Sequence, residues 1–209
     1  MIKSKLALII AILFAPMAIV YCTSETVNEP ETIISEQSTT SNEVSIERGK
    51  YLVVAGACND CHSPKIMTEQ GPKVDSSKLL SGHPANAPYP KINLDALKPG
   101  DWVNFGPDLT TFVGPWGLSF SANLTSDSAT GIGGWSESNF VNAIRKGKHM
   151  GMDNGRPIMP PMPWDNYAHL EDNDLKSIFA YLKSTPPVNN RVHEPFSPAE
   201  VEELARKQK

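Results

Sequence analysis

The chain has 209 residues, 40% of them hydrophobic and 20% charged, with 19 Lys and Arg against 23 Asp and Glu. That length suits one domain with appendages, and a net charge of −4 argues against a nucleic-acid binder, which needs a basic patch for phosphates. Eighteen prolines and fourteen glycines indicate much ordered loop, and three cysteines cannot all pair in disulfides.

Lys3 and Lys5 precede an apolar run from Leu6 to Val20, broken only by Pro16. A short basic region followed by an apolar stretch of this length predicts a secretory signal over residues 1–21. Cys22 follows directly, and Ile19-Val20-Tyr21-Cys22 resembles a bacterial lipobox, whose cysteine carries the lipid; Tyr21 departs from it, a small residue being usual there. A plain signal followed by an incidental cysteine is the competing reading. Residues 22–46 then hold five glutamates and no basic residue. Rich in Ser, Thr, Glu and Asn and lacking an apolar period, residues 22–45 cannot bury enough surface to offset their ordering entropy. They are expected to form an acidic disordered tether of roughly 25–30 Å, with Cys22 anchoring the exported chain to a membrane.

Ile46 to Ala55 reads as a short helix leading to Cys58-Asn59-Asp60-Cys61-His62. Gly49 weakens that helix by about 1 kcal/mol relative to alanine, so a packing reason for it is expected. Two thiols three positions apart can each add to a vinyl group of one haem, with His62 next to ligate the iron. Zinc needs about four ligands, and the remaining histidines, His83, His149, His169 and His193, stand singly. A thioredoxin-like motif lies in a βαβ context that is missing here. One such motif predicts one covalent haem c, held through Cys58 and Cys61, with His62 expected to be oriented by a carbonyl near Gly71-Pro72 or Gly106-Pro107.

Residues 63–120 carry Pro and Gly throughout with little helical or strand period, and are expected to be an ordered loop insert along one haem edge. Ser136 is expected to cap a helix reaching about Lys146, with Phe140, Ala143 and Ile144 inward and Gly147 ending it. Candidates for a second axial ligand are Met150, Met152, Met159, Met162 and the four single histidines. Met159 and Met162 sit among four prolines between Arg156 and Trp164, and such a stiff loop suits His/Met ligation. Spacing does not choose between them. Asp172 is expected to cap a helix from about Asn173 to Ser184, in which Leu175, Ile178, Phe179 and Leu182 form one apolar face, stopped by Pro186-Pro187.

Three blocks carry a family resemblance. Arg48-Gly49-Lys50-Tyr51-Leu52 runs into the cysteine motif; Asn123 to Asp127 is followed by Thr130 to Ser136; and Pro160-Pro161-Met162-Pro163-Trp164 is joined by Tyr181 to Pro187. From about Ile46 to Val188 the chain resembles the cytochrome c domains, single or repeated, that serve membrane-bound sugar and alcohol dehydrogenases. The resemblance implies an all-α cytochrome c fold over residues 46–190, closed by its two end helices with Gly49 as their close backbone approach near Tyr181, and 191–209 as a C-terminal extension. It makes Met162 the axial ligand, matching a Pro-Ala-Met-Pro-aromatic block with Pro161 at the alanine, and holds Met159 in reserve. It also implies that Trp135 offers its indole N–H to a haem propionate. The expected function is transfer of single electrons in the periplasm or at the outer face of a bacterial membrane, between a dehydrogenase and an oxidase or another cytochrome. A haem enzyme or gas sensor with an open sixth position is the alternative.

Overall fold

The computed structural model describes residues 43–208. The expected signal, Cys22 with its lipid, and the tether up to residue 42 lie outside the described residues. Among the described residues, six α-helices and five strands follow in order. Helix α1 (Ile46–Ala55) runs into α2 (Cys58–His62), then come strands β1 (Lys65–Thr68), β2 (Gly71–Val74), β3 (Asn104–Phe105), β4 (Thr111–Gly114) and β5 (Gly117–Phe120). Helices α3 (Glu137–Lys146), α4 (Trp164–Tyr167), α5 (Asp172–Ser184) and α6 (Pro198–Lys207) complete it.

The helices form where caps and apolar period agree. Ser45 accepts from the Arg48 N–H to start α1, Ser136 and Asn139 cap α3 reciprocally, and Gly147 ends α3 at φ 61°. The expected face of α5 is buried: Leu175, Ile178, Phe179 and Leu182 join Val53, Leu80, Ile132 and Phe140 in one core. Its start differs from expectation. Asp172 is the first helical residue after Glu171, and its carboxylate reaches the Arg145 guanidinium at 2.5 Å, so it links α5 to α3 instead of capping.

Gly49 is where α1 meets α5. A Cβ there would lie 1.9 Å from the Ser177 carbonyl oxygen and 2.8 Å from the Tyr181 Cβ. The helices cross backbone to backbone, and the Ser45 N–H donates to the Ser177 hydroxyl at 3.1 Å.

The all-α expectation is corrected by two antiparallel sheets, a β1–β2 hairpin and a β3–β4–β5 sheet. Both form in the stretch read as loop. Alternation is the signal that reveals a half-buried strand, and neither sheet produces it. β4 is buried at every residue and β5 at all but Phe120, whereas Ile66 and Met67, adjacent in β1, are both exposed. At the far edge Leu118 exchanges hydrogen bonds with Phe196, and α6 packs Val201 onto Ala96, Val113 and Leu118 as a second core.

Two asparagines lock the connections. Asn123 donates to the carbonyls of Val188 and Asn190 and accepts from the N–H and hydroxyl of Thr125, while the Asn190 amide donates to the carbonyls of Ser81 and His83. Asn123 is buried, so removing its amide strands several polar groups. Asn123→Ala is expected to lower stability by about 2–4 kcal/mol, read from urea unfolding midpoints. Among the described residues no helix is long and apolar enough to cross a membrane.

Candidate functional site

Cys58, Cys61 and His62 share one helical turn. Ala57 enters it in the left-handed conformation at φ 55°, which breaks α1 from α2 and turns the chain between them. Cys58 packs against the helical core, as does Trp135. Both thiols are free and half-buried. Burial pushes Cys58 up to about 11 and raises Cys61 as well.

Thiols held protonated in this way are not poised as nucleophiles, unlike redox-active Cys-x-x-Cys pairs, whose pKa is lowered. At neutral pH, Cys58 with its thiol free is expected to react with iodoacetamide at least tenfold more slowly than a small-molecule thiol. The loss of thiolate outweighs the gain in intrinsic nucleophilicity at a pKa of about 11. Mass spectrometry of timed aliquots reads this rate. Among the described residues no three His, Cys, Asp or Glu side chains gather as a metal-holding group.

His62 is buried, and its Nδ1 lies 2.8 Å from the Ala122 carbonyl oxygen. A carbonyl only accepts, so Nδ1 carries the proton and Nε2 keeps its lone pair. No protein group among the described residues hydrogen-bonds to that Nε2, which leaves its lone pair unclaimed. Burial lowers the pKa of the ring, which favours the neutral form that binds metals. The Ala122 carbonyl replaces the Gly-Pro steps expected to orient His62: Gly71-Pro72 lies in the exposed hairpin, and the Gly106 carbonyl accepts from the Leu109 N–H.

The surrounding chain is tied in rungs. The Gly82 N–H donates to the His62 carbonyl at 2.8 Å, and the His83 N–H to that of Ser121 at 2.9 Å. Ser63 is fully buried; its hydroxyl donates to the Asn59 amide oxygen and accepts from the Leu80 N–H. The cysteine turn, residues 80–83 and residues 121–124 therefore move as one block.

The methionine loop lies opposite in sequence. Met159 and Met162 are half-buried, whereas Met150 and Met152 are exposed. Four prolines leave the loop few N–H donors, so outside groups hold it. The Ile158 N–H donates to the Gly147 carbonyl at 2.8 Å. Trp164 lies over Gly147, where a Cβ would fall 2.4 Å from the indole. The Ser119 hydroxyl donates to the Pro160 carbonyl at 2.6 Å. Beyond the loop, the Tyr167 hydroxyl donates to the Gly56 carbonyl at 2.5 Å, joining it to the segment that leads into Cys58.

Trp135 is half-buried with its ring edge-on to His149 at 6.2 Å, and its indole N–H meets no protein acceptor among the described residues. Of the four other histidines, His83 is buried. Its Nδ1 donates to the Thr110 hydroxyl, which in turn donates to Asp108. His149 is half-buried, and His169 and His193 are exposed. Sequence reasoning passed over Ala122, Ser119 and Tyr167. The first acts through its backbone, which no side-chain pattern reports.

No protein-family model matches the chain. The chain is 30% identical over 142 residues to the gluconate 2-dehydrogenase cytochrome c subunit of Pantoea cypripedii, covering 68% of this chain and 23% of that protein. It is 28% identical over 138 residues to the fructose dehydrogenase cytochrome subunit of Gluconobacter japonicus, covering 66% and 21%. It is also 28% identical over 146 residues to the cytochrome c subunit of the quinone alcohol dehydrogenase of Gluconacetobacter polyoxogenes, covering 68% and 25%. The chain thus spans between about a fifth and a quarter of the length of these curated relatives.

Proposed function

Since the chain is homologous to cytochrome c subunits of gluconate, fructose and alcohol dehydrogenases, we propose that it is a one-haem electron-transfer domain that passes single electrons from a dehydrogenase to a downstream acceptor. The observation that carries this reading is His62: a buried imidazole with Nδ1 committed to a carbonyl and Nε2 bare, directly after two protonated thiols. These residues fit haem c, which supplies a reversible one-electron couple when bound.

Cys58 and Cys61 would hold the group through thioethers to its two vinyl groups. His62 ligates through Nε2, and the Ala122 carbonyl fixes the ring's tautomer and orientation. Met162 is the second ligand: it is half-buried in a loop that outside groups hold, and it matches the family block. The Trp135 indole N–H, without a protein acceptor, is free to donate to a propionate. With both ligands supplied by the protein, the site would exchange electrons and do no bond chemistry. The chain's task is to exclude water and keep both ligands in place in either oxidation state.

The cytochrome domain comprises residues 46–190, followed by 191–209. Residues 1–21 direct export and Cys22 anchors the chain by lipid through the acidic tether, which places the domain in the periplasm or at the outer face of a bacterial membrane. Its partners are the dehydrogenase and an oxidase or another cytochrome.

The test is attachment. Protein purified after export is expected to retain its haem through denaturing acid-acetone extraction, with an added mass of one haem. Cys58→Ser is expected to leave a single thioether and Cys58→Ser with Cys61→Ser none. Wild-type haem that extracts freely, or an added mass of two, overturns the reading.

A further inference from the structure

We propose that the insert sheet seats the axial methionine: Ser119, oriented by Trp116, is a positioning residue for Met162. The inference rests on the reading of Met162 as ligand given above. Pro157, Pro160, Pro161 and Pro163 have no N–H, so beyond the Ile158 N–H, which donates to the Gly147 carbonyl, the loop has few donors of its own and is best gripped through its carbonyls. Ser119 provides such a grip. Its hydroxyl donates to the Pro160 carbonyl at 2.6 Å, two residues before Met162. That leaves the oxygen's lone pairs free, and the Trp116 indole N–H donates to them at 3.1 Å.

The relay is directional. An indole only donates and a carbonyl only accepts, so the hydroxyl between them has one orientation. Ser119 is 3% exposed, which removes competing water and strengthens the grip. Its backbone is rigid for a separate reason: β5 is paired with β4 on one side, and Leu118 is paired with Phe196 on the other. Trp116 sits in the β4–β5 turn, its ring against Gly114, where a Cβ would fall 2.4 Å from it. The long insert thereby acquires a task, since it carries to the methionine loop a donor that the loop lacks.

The test is competition by imidazole for the oxidised haem, in wild type, Ser119→Ala, Met162→Ala and the double variant. Loss of a buried grip on the loop lets the methionine lift more readily, so Ser119→Ala is expected to raise imidazole affinity about tenfold. In the Met162→Ala background, with no thioether to displace, Ser119→Ala is expected to change it less than about twofold. Trp116→Phe removes the indole donor while keeping an aromatic ring, and is expected to move affinity in the same direction by less. An unchanged affinity in Ser119→Ala overturns the proposal, and an equal change in both backgrounds does so too, by showing that Ser119 acts on the pocket at large. If Met162→Ala leaves the wild-type spectrum intact, the ligand assignment itself fails and the proposal falls with it, an outcome the spectra separate from the other two.

Discussion

Met162→Ala is expected to remove the thioether-to-iron charge-transfer band of the oxidised protein and to lower the reduction potential, because a thioether favours the reduced iron. Carbon monoxide competes with the methionine in the reduced protein. If the lifted loop is populated at about 1%, deleting the side chain should tighten carbon monoxide binding on the order of a hundredfold. Met159→Ala, in the same proline-rich loop, is expected to leave both band and affinity in place. If Met159→Ala and not Met162→Ala abolishes the band, the ligand is Met159. A wild-type protein that is high-spin and binds carbon monoxide at once has an open sixth position, which would favour an enzyme or sensor.

The second large effect is on stability. Gly49→Ala should gain about 1 kcal/mol in helix propensity, yet its methyl would collide with the Ser177 carbonyl, a backbone atom that cannot rotate away. Separating two packed helices costs more than the propensity returns, so the expected net loss is about 2–4 kcal/mol, with Gly49→Val unable to close the fold. Urea unfolding read beside Lys50→Ala, an exposed position on the same helix, checks this. A Gly49→Ala protein as stable as Lys50→Ala would mean that α1 and α5 do not cross at this point.

Gly49 illustrates how far the sequence reaches. A glycine inside a helical period announces a packing reason, and the resemblance to a cytochrome c closed by its two end helices supplied the partner, so the crossing was legible from two segments far apart in the chain. Helix α3 was legible in the same way, from Ser136, Gly147 and the apolar positions between. The sheets were not. Their strands are two to four residues long, β4 is buried on both faces and β1 exposes neighbouring residues on both, so the alternation that marks a strand never develops.

The site divides along a similar line. The spacing of Cys58, Cys61 and His62 is local and chemical, and it stands out from any background. The group that orients His62 is a backbone carbonyl sixty residues away, and any residue type at position 122 would present one. Ser119 is an ordinary serine until β5 carries it under Pro160. The α5 cap was misplaced by one residue because an aspartate beside an arginine on a neighbouring helix has a better use than capping.

The crossing of α1 and α5 also sets the pace of folding. Ser45 and Ser177 are hydrogen-bonded across 132 positions of sequence, so the first described helix has no seat until nearly the last one exists. Helical proteins usually fold fast because their contacts are local; this one must first bring together the ends of a very long loop, and the strand pairing of Leu118 with Phe196 adds a second distant closure. A chain emerging from its N-terminus carries α1 with its glycine notch unfilled through most of its synthesis. Its folding rate should therefore follow contact order, and fall well below what its helix content suggests.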